Sequence, residues 1–254
     1  MKAAAGVFIY DRAQVFIAAV RSFLAYISVA LFVLVTGPIG MLLAMTVGWI
    51  GPLYFFGHTG AAMGMALAGI RFKVAGREHV PAGRGVVFCA NHQSNVEPPV
   101  LFRAVHPRLA FLYKHEIDRI PVLARAFRMA GFIPIDRHDK EAAMQSIELG
   151  AAGLRAGQSI LIFPEGTRSK TDELLPFKKG GFRMAIKAGA PIVPVAISGG
   201  RAAMVKGSAV IHPVTFTVRI GRPVETAGVD VADRDALIAR VRQEIATLLA
   251  EGPL

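Results

Sequence analysis

The chain has 254 residues, 53% of them apolar, with a mean hydropathy of +0.46 and a formal net charge of +11 at neutral pH. That length fits one large α/β domain with a full core and an attached segment, and the basic balance points to an anionic partner: nucleic acid, lipid headgroups or a phosphorylated substrate. The single cysteine, Cys89, excludes an intramolecular disulfide and fits a reducing compartment.

Residues 1–21 carry Lys2, Asp11, Arg12 and Arg21. From Ser22 to Ile70 there is then no Lys, Arg, Asp or Glu, a run of 49 residues with one histidine, His58. This is far longer than the roughly 20 residues that cross a bilayer. A nucleic-acid binder has no use for such a run, so the basic charge is assigned to lipid or phosphate. The run is too long for a signal peptide. Gly37-Pro38 and Gly51-Pro52 punctuate it. Two arrangements are open: helices over 23–50 and 53–70, or a re-entrant pair over 23–35 and 39–50. Gly57, Gly60, Gly64 and Ala68 suit close helix packing. Basic residues flank the run on both sides, Arg12 and Arg21 before it and Arg71, Lys73 and Arg77 after it. The positive-inside rule then predicts a hairpin with both flanks in the cytoplasm. The chain therefore divides into a membrane-attachment segment, 1–70, and a second domain, 71–254.

From Arg71 onward, short apolar runs alternate with helical patterns. Strands are predicted at 72–74, 86–90, 109–113, 132–135, 159–163, 192–197 and 215–220, and helices near 97–105, 118–130, 139–156, 179–188 and 233–250. This is an α/β fold with a mostly parallel or mixed sheet of about seven strands flanked by helices. Cys89 falls inside an apolar strand and reads as a core residue.

Chemistry gathers at the strand ends. His92 and Glu97 follow the strand at 86–90. A neutral imidazole takes a proton from a hydroxyl near pH 7, and a carboxylate on its other nitrogen fixes the tautomer. Five residues apart is about 500° on an ideal helix, so a turn must bring the pair together. Phe163-Pro164-Glu165-Gly166-Thr167-Arg168-Ser169 follows the strand at 159–163. Glycine lets main-chain N–H groups approach an anion, Thr167 adds a hydroxyl, and Arg168 adds a bidentate fork. Gly131 to Arg137 ends another strand in an arginine, and Lys114 ends a third. A general base beside several cations implies an alcohol that also bears a phosphate.

These blocks together resemble the lysophosphatidic acid acyltransferase family. Its Asn-His-x4-Asp block is matched by Asn91-His92 with Glu97 in the aspartate's place. Its second block is matched at Gly131–Arg137, its Phe-Pro-Glu-Gly-Thr-Arg-Ser block in full at 163–169, and its Val-Pro-Val block at 192–197. The resemblance covers roughly 72–225. It implies that His92 deprotonates the free hydroxyl of a lysophospholipid while Glu97 holds His92. The alkoxide attacks the thioester of acyl-CoA or acyl carrier protein by direct transfer, with no cofactor and no metal. Arg137, Glu165, Gly166, Thr167 and Arg168 are implied to hold the acceptor phosphate, with Lys114 a further contributor. Phe177, Lys178 and Lys179 either meet carrier phosphates or form a solvated basic edge. The block at 192–197 reads as core or as a tunnel wall. The implied protein sits on the inner membrane with its catalytic domain in the cytoplasm. The same chemistry on glycerol 3-phosphate or a lyso-aminolipid, or a catalytically dead lipid binder, are the alternatives.

Overall fold

The computed structural model describes residues 3–4, 7–8, 10–136 and 139–254. Strands β1 (Ala3–Ala4) and β2 (Val7–Phe8) form a short antiparallel ladder. Asp11 then starts helix α1 (Arg12–Val47): its carboxylate accepts from the Gln14 main-chain N–H at 2.7 Å, and the Gln14 side chain accepts from the Asp11 main-chain N–H. Such a reciprocal cap satisfies two N–H groups that a helix start otherwise leaves bare. Helix α2 (Gly51–Ala68) runs back along α1, with proline in its first turn. Of the two arrangements the sequence leaves open, the structure takes the first. Pro38 lies inside α1 and does not end it; its missing N–H removes only one hydrogen bond. The hairpin turn falls instead at Gly51-Pro52, where proline fits because first-turn N–H groups have no intrahelical partner.

The small residues of α2 are where the helices approach closely. A Cβ on Gly64 would lie 2.8 Å from Val29, and one on Gly60 would lie 3.2 Å from Phe32. Gly57 faces the other way, with a Cβ there 3.2 Å from Phe102. The hairpin is thus packed on itself and on the layer beneath it. Tyr54 Oη donates to the Ala130 carbonyl at 2.8 Å, and Gly37 of α1 meets Val122.

The remaining elements are β3 (Arg71–Ala75), β4 (Val87–Ala90), α3 (Glu97–Ala104), β5 (Leu109–Lys114), α4 (Pro121–Met129), β6 (Ile133–Ile135), α5 (Lys140–Arg155), β7 (Ser159–Ile162), α6 (Gly180–Ala188), β8 (Ile192–Ser198), α7 (Gly200–Ala203), β9 (Thr215–Ile220) and α8 (Arg234–Ala250). Every strand predicted from the apolar runs is present to within two residues. The sheet order is β3-β9-β8-β4-β7-β5-β6. Strands β4 to β8 are mutually parallel, whereas β9 pairs antiparallel with β8 and carries β3 parallel to itself. The sheet is therefore mixed. Helices cover both faces of its parallel part, which explains why β4 and β7 are buried at every position and are apolar apart from Ser159. On β8 only Ser198 is partly exposed. Helix α8 seals one face with Leu237, Val241 and Ile245.

Five parallel strands bring five C-terminal ends to one edge of the sheet, the edge where α/β proteins gather ligands. His92, Arg168 and Gly200 lie on the loops or helix starts that follow those ends, and Lys114 is the last residue of β5.

Candidate active site

Strand β4 lies between β8 and β7, so the loop that leaves it is braced from both sides. Asn91 pins it to β8: its side-chain amide donates to the Ile197 carbonyl at 2.9 Å and accepts from the Ile197 N–H at 2.8 Å. His92 pins it to the loop after β7. The His92 N–H donates to Glu165 Oε1 at 2.8 Å, and the His92 carbonyl accepts from the Ser169 N–H at 2.7 Å. The backbone under the histidine is thus held at both of its polar groups.

The turn required by the spacing is present. The Glu97 N–H reaches back to the Ser94 carbonyl, and Glu97 opens α3 with Pro98 and Pro99 behind it. Its side chain folds back over the turn, where Oε2 lies 2.8 Å from His92 Nδ1 and 2.9 Å from the Gln93 N–H nitrogen. A carboxylate in the first turn of a helix also meets the positive end of the helix dipole. Glu97 is fully buried, and burial pushes its carboxyl above the usual carboxylate range. The hydrogen bond and charge of His92, and the main-chain N–H groups of Gln93 and Ser94, pull it back. Facing a carboxylate, Nδ1 carries the imidazole proton and Nε2 is left as the basic nitrogen. The ring stacks on Phe163 with centroids 4.0 Å apart, which fixes its plane.

The 163–169 loop forms a tight turn closed by a hydrogen bond from the Gly166 N–H to the Phe163 carbonyl. Gly166 has φ +69 and lies under the Lys178 side chain, so both conformation and space require glycine there. Thr167 and Arg168 sit at the rim of the cavity described below. Lys206 Nζ donates to Thr167 Oγ1 at 3.0 Å and to the Arg168 carbonyl at 3.1 Å, holding this rim from a distant loop.

Glu165 does not take the role the sequence suggested. It is buried, with Oε1 accepting from His92 and Oε2 accepting from the Leu175 N–H at 3.0 Å. A carboxylate committed to main-chain donors braces the loop and does not hold a phosphate. Burial pushes its carboxyl up, the N–H groups of Leu175 and His92 and the His92 charge oppose this, and the Glu97 charge adds to it. Lys114 reaches the cavity rim but is ion-paired with Glu116. Arg137 lies outside the described residues. Lys178 covers Gly166, and Lys179 pairs with Asp235 at 3.0 Å. The 192–197 block is the buried centre of β8 and contributes nothing to the cavity wall, so it is core. Cys89 is fully buried, and burial, reinforced by the Glu165 charge, pushes its thiol far up. It is no nucleophile.

A cavity of about 750 Å³ opens beside His92 and runs between the hairpin and the α/β layer. Its walls are mainly apolar: Val33 and Gly57 from the hairpin, and Phe102, Phe111, Phe127 and Phe132 from the layer below. Sequence reasoning missed it because its wall is assembled from two segments that are read separately along the chain. A basic nitrogen, an arginine and an apolar pocket thus meet at one rim. Among the described residues no group of three or more His, Cys, Asp or Glu side chains is placed to hold a metal ion.

Comparison with known proteins agrees with this chemistry. The family model described as Acyltransferase matches residues 71–198, from β3 to the end of β8. The chain is 29% identical to the 1-acyl-sn-glycerol-3-phosphate acyltransferase of Limnanthes douglasii over 223 residues, covering 85% of this chain and 78% of that one. It is 32% identical to 1-acyl-sn-glycerol-3-phosphate acyltransferase alpha of Homo sapiens over 186 residues, covering 73% and 66%. In fold it resembles the crystal structure of the 1-acyl-sn-glycerophosphate acyltransferase PlsC from Thermotoga maritima, with a TM-score of 0.79 over 93% of this chain and 98% of that one at 22% identity. With half the chain matched by the family model, the protein belongs to the Acyltransferase family.

Proposed function

We propose that the chain is a 1-acyl-sn-glycerol-3-phosphate O-acyltransferase, forming phosphatidic acid from lysophosphatidic acid and an acyl thioester in phospholipid biosynthesis. The observation that carries this is the His92–Glu97 pair at 2.8 Å, set at the mouth of an apolar cavity with Arg168 on the same rim. His92 Nε2 takes the proton of the acceptor hydroxyl. The resulting alkoxide attacks the thioester carbonyl, the new ester bond forms, the carrier's C–S bond breaks, and the leaving thiolate takes the proton from the His92 imidazolium, which restores the base. The buried Glu97 carboxylate stabilises the imidazolium that exists in between. Glu97 meets His92 at full hydrogen-bond distance, so the extra methylene gives no geometric support to a catalytically dead lipid binder. Arg168, with Thr167 and the Gly166 turn, holds the phosphate, and the apolar cavity takes the acyl chain. Acyl-CoA or acyl carrier protein enters as a substrate, and the reaction needs no cofactor.

The hairpin supplies the route for a lipid acceptor. Of the described helices, α1 alone is long and apolar enough to cross a membrane. Phe16, Phe23, Leu31, Leu34, Leu42 and Val47 are exposed on it, and so many bare apolar side chains call for lipid. Yet α1 touches the α/β layer along its length: Ser22 Oγ accepts from the Ile211 N–H at 2.7 Å, and Arg125 reaches the Met45 sulfur at 3.6 Å. A hairpin held this way lies against the catalytic domain and enters the bilayer from one side. With basic flanks at both ends, that side is the cytoplasmic face of the inner membrane. The test is an acylation assay. Purified protein is offered lysophosphatidic acid, glycerol 3-phosphate and other lysolipids, each with acyl-CoA and acyl carrier protein. Preferred turnover of lysophosphatidic acid is expected; preference for another acceptor would reassign the substrate.

A further inference from the structure

The side of Glu97 turned away from His92 is closed by a glycine. A Cβ built on Gly200 would lie 2.1 Å from Glu97 Oε1, 3.1 Å from its Cδ and 3.2 Å from Gln93 Cβ. No side chain fits there while the carboxylate stays where it is. Gly200 is buried and opens α7 directly after β8. Two glycines stand together at this point for different reasons. Gly199 has φ +104, a conformation that itself calls for glycine. Gly200 lies outside the left-handed region, so its backbone would accept alanine. The nearest obstacle to a side chain at 200, by about 1 Å, is the Glu97 carboxyl group. That group cannot simply slide away. It is fully buried, and its oxygens are held by His92 Nδ1 and the Gln93 N–H.

We propose that Gly200 is a positioning residue for acyl transfer: the bare space above its Cα lets a glutamate, one methylene longer than an aspartate, seat its carboxylate on His92 Nδ1. The proposal rests on the acyltransferase reading above. Gly200 acts through Glu97, and position 200 and position 97 form one fitted pair. A methyl group at 200 displaces the carboxylate, and a misplacement of about 1 Å costs on the order of 10²-fold in rate. An aspartate at 97 withdraws from the space and leaves the methyl only the milder 3.2 Å contact with Gln93 Cβ, which a shift of a few tenths of an ångström relieves.

The test is a double-mutant cycle of wild type, Gly200→Ala, Glu97→Asp and the double variant, with kcat, both KM values and thermal midpoints measured for each. In the wild-type background Gly200→Ala is expected to lower kcat by at least about tenfold, with acceptor and donor KM within about twofold. In the Glu97→Asp background the same alanine should change kcat by less than about twofold. A merely structural role would give the same loss in both backgrounds, and that result overturns the proposal. So does wild-type kcat in Gly200→Ala, and so does failure of both alanine variants to fold, since the damage would then lie in the backbone. Folding restored by Glu97→Asp supports it. Failure of the proposal alone leaves the difference between wild type and His92→Ala intact, whereas failure of the acyltransferase reading removes turnover from wild type as well.

Discussion

Glu165 Oε1 accepts the main-chain N–H of His92 at 2.8 Å, so one carboxylate in the loop after β7 fixes the backbone from which the imidazole projects. The second oxygen takes the Leu175 N–H at 3.0 Å, and the three segments are tied at one point. Glu165→Ala leaves both N–H groups in a buried site without a partner. The expected loss is about 1–3 kcal/mol of stability, together with a fall in kcat as His92 loses its anchor. Glu165→Gln keeps an acceptor and should lose less of both. Thermal midpoints and kcat of the two variants check this; equal behaviour of Ala and wild type would remove Glu165 from the support of the site.

Glu97 trades stability for chemistry. Its folded-state carboxyl is raised by burial, so the stability it contributes is present below its unfolded value and is lost as pH rises through the folded one. Glu97→Gln carries no such dependence. The variant is expected to lose turnover by about 10²-fold or more, yet to melt no lower than wild type at pH 7, with its advantage growing as pH rises above the carboxylate range. Thermal melts at several pH values, beside kcat, decide it. An advantage that shrinks with rising pH would contradict the assigned direction.

The strands were legible because short apolar runs bounded by turns have few alternatives in an α/β chain. The contact between His92 and Glu97 was legible for the same reason: the two sit where a strand stops, and only a turn can join them. Pro38 was misleading in one of the two hairpin arrangements, since a proline that breaks many helices is tolerated within α1. Glu165 was misread because residue type alone does not say whether a carboxylate faces a ligand or the main chain. The cavity was invisible because Val33, Tyr54, Phe102 and Phe132 come together only in the fold. Lys206, which holds the Thr167–Arg168 rim, gave no signal, being one lysine in a strongly basic chain.

The role proposed for Arg168 separates the acceptor from the donor. A phosphate monoester suits the planar guanidinium fork, which lysine does not reproduce. Arg168→Lys is expected to weaken kcat/KM for the acceptor, and Arg168→Ala to weaken it further, by about 1.5–3 kcal/mol. The donor KM should hold. If the donor term collapses while the acceptor term is unchanged, the 163–169 loop belongs to the acyl carrier.

Gly57 lines the cavity and leaves no slack toward Phe102. Gly57→Leu fills part of the apolar space, so the ratio of kcat/KM for long over short acyl donors should fall by about tenfold or more. Competition between two donors of different length in one reaction measures the ratio directly. An unchanged ratio would place the acyl chain elsewhere.

The central claim is that His92 is the base. Its most direct measurement is the rate of lysophosphatidic acid acylation by His92→Ala beside wild type, with acceptor binding measured separately. The expected result is a rate lower by about 10²–10⁴-fold with acceptor binding largely kept. A variant that acylates at the wild-type rate would contradict the assignment, and with it the roles given to Glu97 and Gly200.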